Sequence, residues 1–119
     1  SLKFKELCQE MIEPFSSAEV MHGPRSLVQN SFKLFTLSIN DHSGRTVIKD
    51  SQELKKYTNF FYDISFSKKS TFTYDSFSPT DFDPIIIMSK FYPWIINYAI
   101  KKGLNPDKPR YLTKITQTY

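Results

Sequence analysis

The order of elements written into this sequence predicts an α/β fold, a mostly parallel sheet covered by helices. Three observations carry that prediction. Stretches rich in β-branched and aromatic residues at 32–39, 59–66 and 71–77 read as strands. Helical periodicity at residues 2–12, 47–57 and 84–103 flanks and separates them. The resulting order of strand, helix, strand, strand and long helix suits parallel strands layered with helices. At 119 residues, 39% hydrophobic and 16% aromatic, the chain is long enough for one packed domain. Three strands are few for a doubly wound sheet, and Ser1 enters helical sequence with no cap or turn before it. The domain is therefore expected to be truncated at its N-terminus, with an opening strand upstream.

Taken in order, Phe4, Leu7, Cys8, Met11 and Ile12 fall on one face of the first helix, with Glu6 on the other, and Pro14 closes the segment. Ser16 followed by Glu19 is a capping pattern for a second, short helix that Gly23-Pro24 stops after His22. Asn40-Asp41-His42-Ser43-Gly44 reads as turn chemistry after the first strand, with His42 a surface residue. Ser67-Lys68-Lys69 separates the second and third strands, and residues 78–83 form a loop. Pro84 suits the first turn of the last helix, Pro93 is expected to kink it by removing one backbone hydrogen bond, and Gly103 ends it. That helix is apolar nearly all round, so contact with a second domain or subunit is expected.

Composition narrows the function classes. The formal net charge is +4, but Lys55/Lys56, Lys68/Lys69 and Lys101/Lys102 are isolated pairs without a basic stripe or nucleic-acid motif, so no nucleic-acid partner is expected. The apolar run of residues 85–100 is interrupted by Ser89, Lys90, Pro93 and Asn97 and is too short to span a bilayer, so no membrane partner is expected either. The single Cys8 allows no internal disulfide and no cysteine-based zinc site, which points to the cytoplasm; it reads as a packing residue. No metal or other cofactor is called for.

Three stretches in register resemble the C-terminal sugar-isomerase (SIS) domain of the glucosamine-6-phosphate synthase isomerase and deaminase family. Ser1-Leu2-Lys3-Phe4-Lys5-Glu6 is similar to the family's Ala-Leu-Lys-Leu-Lys-Glu helix. Phe15-Ser16-Ser17-Ala18-Glu19-Val20-Met21-His22-Gly23-Pro24 resembles its segment ending in Glu-x-x-His-Gly-Pro. The ending from Gly103 to Lys114 matches Gly-x-x-x-Asp-x-Pro-Arg-x-Leu-x-Lys. The resemblance implies a three-layer α/β/α, flavodoxin-like SIS domain over residues 1–106, followed by a tail, 107–119, that carries the Pro-Arg-x-Leu-x-Lys motif. It implies a proton-transfer base at Glu6, a ring-opening histidine at His22 supplied to the neighbouring subunit, and a tail lysine at Lys114. Lys3 and Arg110 would be substrate-binding, Arg110 by anchoring the tail.

Those residue types suit the chemistry. Interconverting an aldose and a ketose phosphate requires ring opening and a proton moved between adjacent carbons. A carboxylate can carry that proton, a histidine can shuttle another near neutrality, and an amine can form an imine with the carbonyl. Taken alone, each has a plainer reading: Glu6 a solvated carboxylate, His22 a helix-terminal residue, Lys114 a surface lysine. The phosphate-holding Ser/Thr-rich loops of the family's first SIS domain have no counterpart here. The implied whole is a C-terminal part of an amino-sugar-phosphate deaminase or isomerase, partnered by a sugar phosphate and by a first SIS domain or a homodimer mate, and inactive alone. The ending Ile115-Thr116-Gln117-Thr118 leans toward the deaminases. The alternative is a non-catalytic SIS module or degraded remnant that works through sugar-phosphate or protein contact.

Overall fold

The computed structural model describes residues 1–77 and 79–112. Its helices are α1 (Leu2–Cys8), α2 (Ser17–His22), α3 (His42–Leu54) and α4 (Asp83–Lys101), and its strands are β1 (Lys33–Leu37), β2 (Phe60–Ser65) and β3 (Phe72–Thr73). Tight 3-10 turns occupy Pro24–Leu27, Lys55–Tyr57 and Thr80–Phe82. Contacts divide the chain into two units: Phe15–Phe91, which holds the sheet, and a second that joins Ser1–Pro14 to the chain from Tyr92 onward.

The sheet has the order β1-β2-β3 and is parallel throughout, as the element order predicts. Lys33 to Leu37 pair with Phe60 to Ile64, and α3 makes the crossover between them. The pairing of β2 with β3 is two residues long, Ile64 with Phe72 and Ser65 with Thr73. So short a parallel connection is closed by side chains. The Asp63 carboxylate accepts the Thr71 N–H at 2.6 Å, and the Ser65 and Ser70 hydroxyls bond to each other. The strand predicted over residues 71–77 is shorter, Phe72–Thr73; the Tyr74 N–H still reaches the Ser65 carbonyl, and the Tyr74 and Ser76 hydroxyls turn to the buried Asp83. Ile64, Leu54, Val28 and Ile87 are buried in this unit, and Phe35 meets Phe91 edge-on with ring centroids 5.6 Å apart.

Helix α3 starts five residues before the predicted position, at His42 rather than 47. What reads as a turn is its N-terminus: the Asp41 side chain accepts the Gly44 N–H at 2.5 Å as an N-cap. Gly44 is required there, since a Cβ would lie 1.8 Å from the Ile39 carbonyl oxygen.

In the second unit, Phe4 of α1 packs on Trp94, which stacks on Tyr98 at 5.2 Å, while Cys8 is fully buried and points its thiol at the Ile95 carbonyl. Helix α1 ends at Cys8, short of the predicted residue 12, and leaves Met11 85% exposed. Tertiary bonds win over helical periodicity here. Lys102 donates to the Cys8 carbonyl at 2.8 Å and to the Glu10 carboxylate at 2.7 Å, and Tyr98 donates to the same Glu10 oxygen. Gln9 turns left-handed, with φ at 52°, to allow it.

Helix α4 runs through Pro93 and closes on Gly103, whose φ of 77° lets Leu104 and Gly103 donate back to the carbonyls of Ala99 and Ile100. Ile87, Phe91, Ile95 and Ala99 form a buried i, i+4 stripe. Ile85, Tyr92, Ile96 and Ile100 remain exposed.

Candidate functional site

The residues singled out from the sequence fall into separate places. On α1, one turn brings Lys3 and Glu6 onto the same face, with the ammonium 2.8 Å from Glu6 Oε2. The pair is partly open, the two side chains being 43% and 25% exposed. Hydrogen bonding to Glu6, reinforced by its charge, pushes the Lys3 ammonium above its ordinary value. Among the described residues no other group bonds this carboxylate, so it carries one charged, mobile partner.

His22 belongs to the sheet-bearing unit, as the last residue of α2. A full capping box starts that helix: the Ser16 hydroxyl accepts from the Glu19 N–H, and the Glu19 carboxylate accepts from the Ser16 N–H at 2.7 Å. Bonds from the Ser16 hydroxyl and then its backbone hold the Glu19 carboxyl below the usual range. His22 is exposed beside a shallow cleft of about 470 Å³, which Gly23, Arg25, Ser26, Val28 and Tyr57 also line. The Arg25 guanidinium lies 3.4 Å from Glu53 Oε1 and 5.8 Å from the centroid of the Tyr57 ring. Glu53 has a closer partner in Lys56, at 2.5 Å. The hydrogen bond and charge of Lys56, more than Arg25, hold the Glu53 carboxyl low.

Arg110 is exposed, with its guanidinium 4.9 Å from the ring of Tyr111. Lys114 lies outside the described residues. A second hollow, about 500 Å³ and mostly apolar, is lined by Leu7, Ile96, Ile100, Leu104 and Pro106 in the unit built from the chain's ends. The structure thus unites Lys3 with Glu6 and sets His22 in the other unit.

Two features escape sequence reasoning. The first is a polar junction beyond the carboxyl ends of β1 and β3, where ligands of open α/β sheets usually sit. The Asp83 side chain is fully buried and accepts from the Asn40 N–H at 2.8 Å, the Tyr74 hydroxyl at 2.9 Å and the Ser76 hydroxyl at 2.8 Å. The Tyr74 oxygen is also 2.9 Å from the Ser38 carbonyl. Burial alone would raise the Asp83 carboxyl, but the bonds from Asn40, Ser76 and Tyr74 outweigh it and hold it below its ordinary value. The only sequence signal is an acidic residue directly before the Pro of a helix start. The second missed feature is Arg25, which follows His22-Gly23-Pro24 directly. Among the described residues, no three His, Cys, Asp or Glu side chains gather as metal ligands, and no helix is long and apolar enough to cross a membrane.

Comparison with known proteins gives similarity to one class of enzyme. The chain is 34% identical over 117 residues to a glutamine–fructose-6-phosphate aminotransferase (isomerizing) of Sulfolobus acidocaldarius, a match that covers 96% of the chain and 20% of the aminotransferase. It is 30% identical over 116 residues to the aminotransferase of the same name from Sulfurisphaera tokodaii, and 24% identical over 119 residues to that of Pyrococcus horikoshii. The chain spans about one fifth of the length of the curated relatives it matches. No protein-family model matches it.

Proposed function

We propose that this chain is the C-terminal SIS part of an amino-sugar-phosphate deaminase or isomerase. In this reading Glu6 is the proton-transfer base, His22 opens the ring and Lys114 meets the open-chain carbonyl. The observation that carries the reading is the similarity along 96% of the chain to aminotransferases whose name includes an isomerization. The local geometry agrees with what the chemistry asks. A base that takes a proton from one carbon and returns it to the next must be ionised and reachable, and Glu6 is a part-exposed carboxylate with one partner. Lys3, the partner, supplies a cation beside the carbon that would carry developing negative charge. Lys3 and Arg110 act on the substrate in this reading, Arg110 by holding the tail that carries Lys114. A tail folded over the sugar would also keep water from the imine.

The test joins the chain to a first SIS domain and measures turnover of glucosamine 6-phosphate. Glu6→Gln and Lys114→Ala are each expected to lower kcat by about 100-fold or more, the scale of general acid–base and covalent contributions. Full activity in both variants would overturn the reading.

A second reading rests on a different observation. Tyr92, Ile96 and Ile100 leave an exposed apolar stripe on α4, which suits a non-catalytic module that acts through protein contact. Turnover that depends on Glu6 decides against it.

A further inference from the structure

The cleft beside His22 holds an arginine that shares its carboxylate partner with a second cation. Two cations, Arg25 and Lys56, share the single Glu53 carboxylate, and Lys56 takes the shorter contact, 2.5 Å against 3.4 Å. Arg25 reaches Glu53 and the Tyr57 hydroxyl through one nitrogen, Nη2, at 3.4 and 3.5 Å, both at the long limit of a hydrogen bond. Among the described residues, its Nε and Nη1 have no hydrogen-bond partner. The Tyr57 ring supports the guanidinium at 5.8 Å, which limits its freedom without using its donors. A planar fork of donors therefore lines a cleft about 470 Å³ in volume that Ser26 and His22 also line. Guanidinium forks match tetrahedral and planar oxyanions, and a cation with donors to spare attracts them.

We propose that this cleft binds the phosphate group of a phosphate ester, with Arg25 as its anchor and Ser26 as a further donor. The choice of phosphate ester over other anions rests on the reading of the chain as an amino-sugar-phosphate protein; the anion site itself rests on the geometry of Arg25. A ligand so held would lie within reach of His22, which lines the same cleft.

Titration of the isotope-labelled chain, followed by amide NMR shifts, tests this with four ligands: inorganic phosphate, glucosamine 6-phosphate, unphosphorylated glucosamine and acetate. Both phosphates are expected to shift the amides of His22, Gly23, Arg25 and Ser26 with dissociation constants on the order of 1 mM, and glucosamine and acetate to leave them unmoved. Arg25→Met should weaken phosphate binding by at least about tenfold. Glu53→Gln, which removes the competing carboxylate, should tighten it by roughly threefold. The labelled spectrum itself reports whether each variant is folded. Absence of phosphate shifts, equal binding by Arg25→Met, or equal shifts with acetate would each overturn the proposal. Failure of the deaminase or isomerase reading is separable, because it shows as turnover insensitive to Glu6 and Lys114 while inorganic phosphate still titrates the cleft.

Discussion

Asp83 and Glu6 are both helical carboxylates, and their surroundings differ in almost every respect. Asp83 has no exposed surface and accepts hydrogen bonds from one backbone N–H and two hydroxyls, carried by the segments after β1 and after β3. Glu6 is a quarter exposed and answers to one lysine side chain. A buried charge persists only where fixed donors replace its water, and those donors then resist any change in its protonation. A carboxylate with a single flexible partner keeps its hydration and can exchange that partner for a substrate. The first arrangement holds a fold together, and the second leaves a group free for chemistry.

The contrast can be broken from either side. The largest effect is expected for Asp83→Ala, which strands the Asn40 N–H and the Tyr74 and Ser76 hydroxyls in a buried site; urea unfolding should show a loss of about 3 kcal/mol. Gly44→Ala drives a methyl group into the Ile39 carbonyl next to the same junction, at a cost of about 2 kcal/mol by the same measurement.

Titration should sharpen the comparison further. The Asp83 carboxyl is held below its ordinary value, so the native protein binds fewer protons than the unfolded chain, where Asp titrates near about 3.9. Its contribution is present above about pH 4 and is lost as pH falls through the lower native value. Burial first, and then the bond to Asp83, pushes the Tyr74 hydroxyl up, so the native state keeps a proton that an unfolded tyrosine loses near about pH 10. That contribution is full below about pH 10 and is lost as pH rises toward the native value. Melting temperature against pH should fall at both ends, and Tyr74→Phe should flatten the alkaline fall. The smallest effect is expected for Glu6→Gln, which should leave the melting temperature unchanged, as removal of an open ion pair does. A large drop would place Glu6 with Asp83 among the structural carboxylates.

Periodicity made the α/β class, the parallel order and the capping of α2 by Ser16 legible, because these follow from local patterns. It misplaced the start of α3, where Asp41 and Gly44 fit a turn and an N-cap equally well until the approach of Ile39 is known. It overran α1, since the Lys102 that caps the Cys8 carbonyl is 94 residues away. The place of Glu6 on the polar face of α1 was legible from helical spacing, but its pairing with Lys3 was not read there. The Asp83 junction was not, because its donors come from residues 40, 74 and 76 and no single stretch of sequence contains them.

The unit made from the chain's two ends carries a kinetic consequence. The bond from Cys8 to Ile95 spans 87 residues, whereas β1, α3 and β2 complete their contacts within a short stretch of chain. The sheet-bearing unit can therefore form while α4 is still incomplete on the ribosome, and α1 must wait with Phe4 and Cys8 uncovered until the last third of the chain has emerged. Capture of the first helix is then the closure with the longest separation in sequence, and the residues it closes on include Trp94 and Ile95.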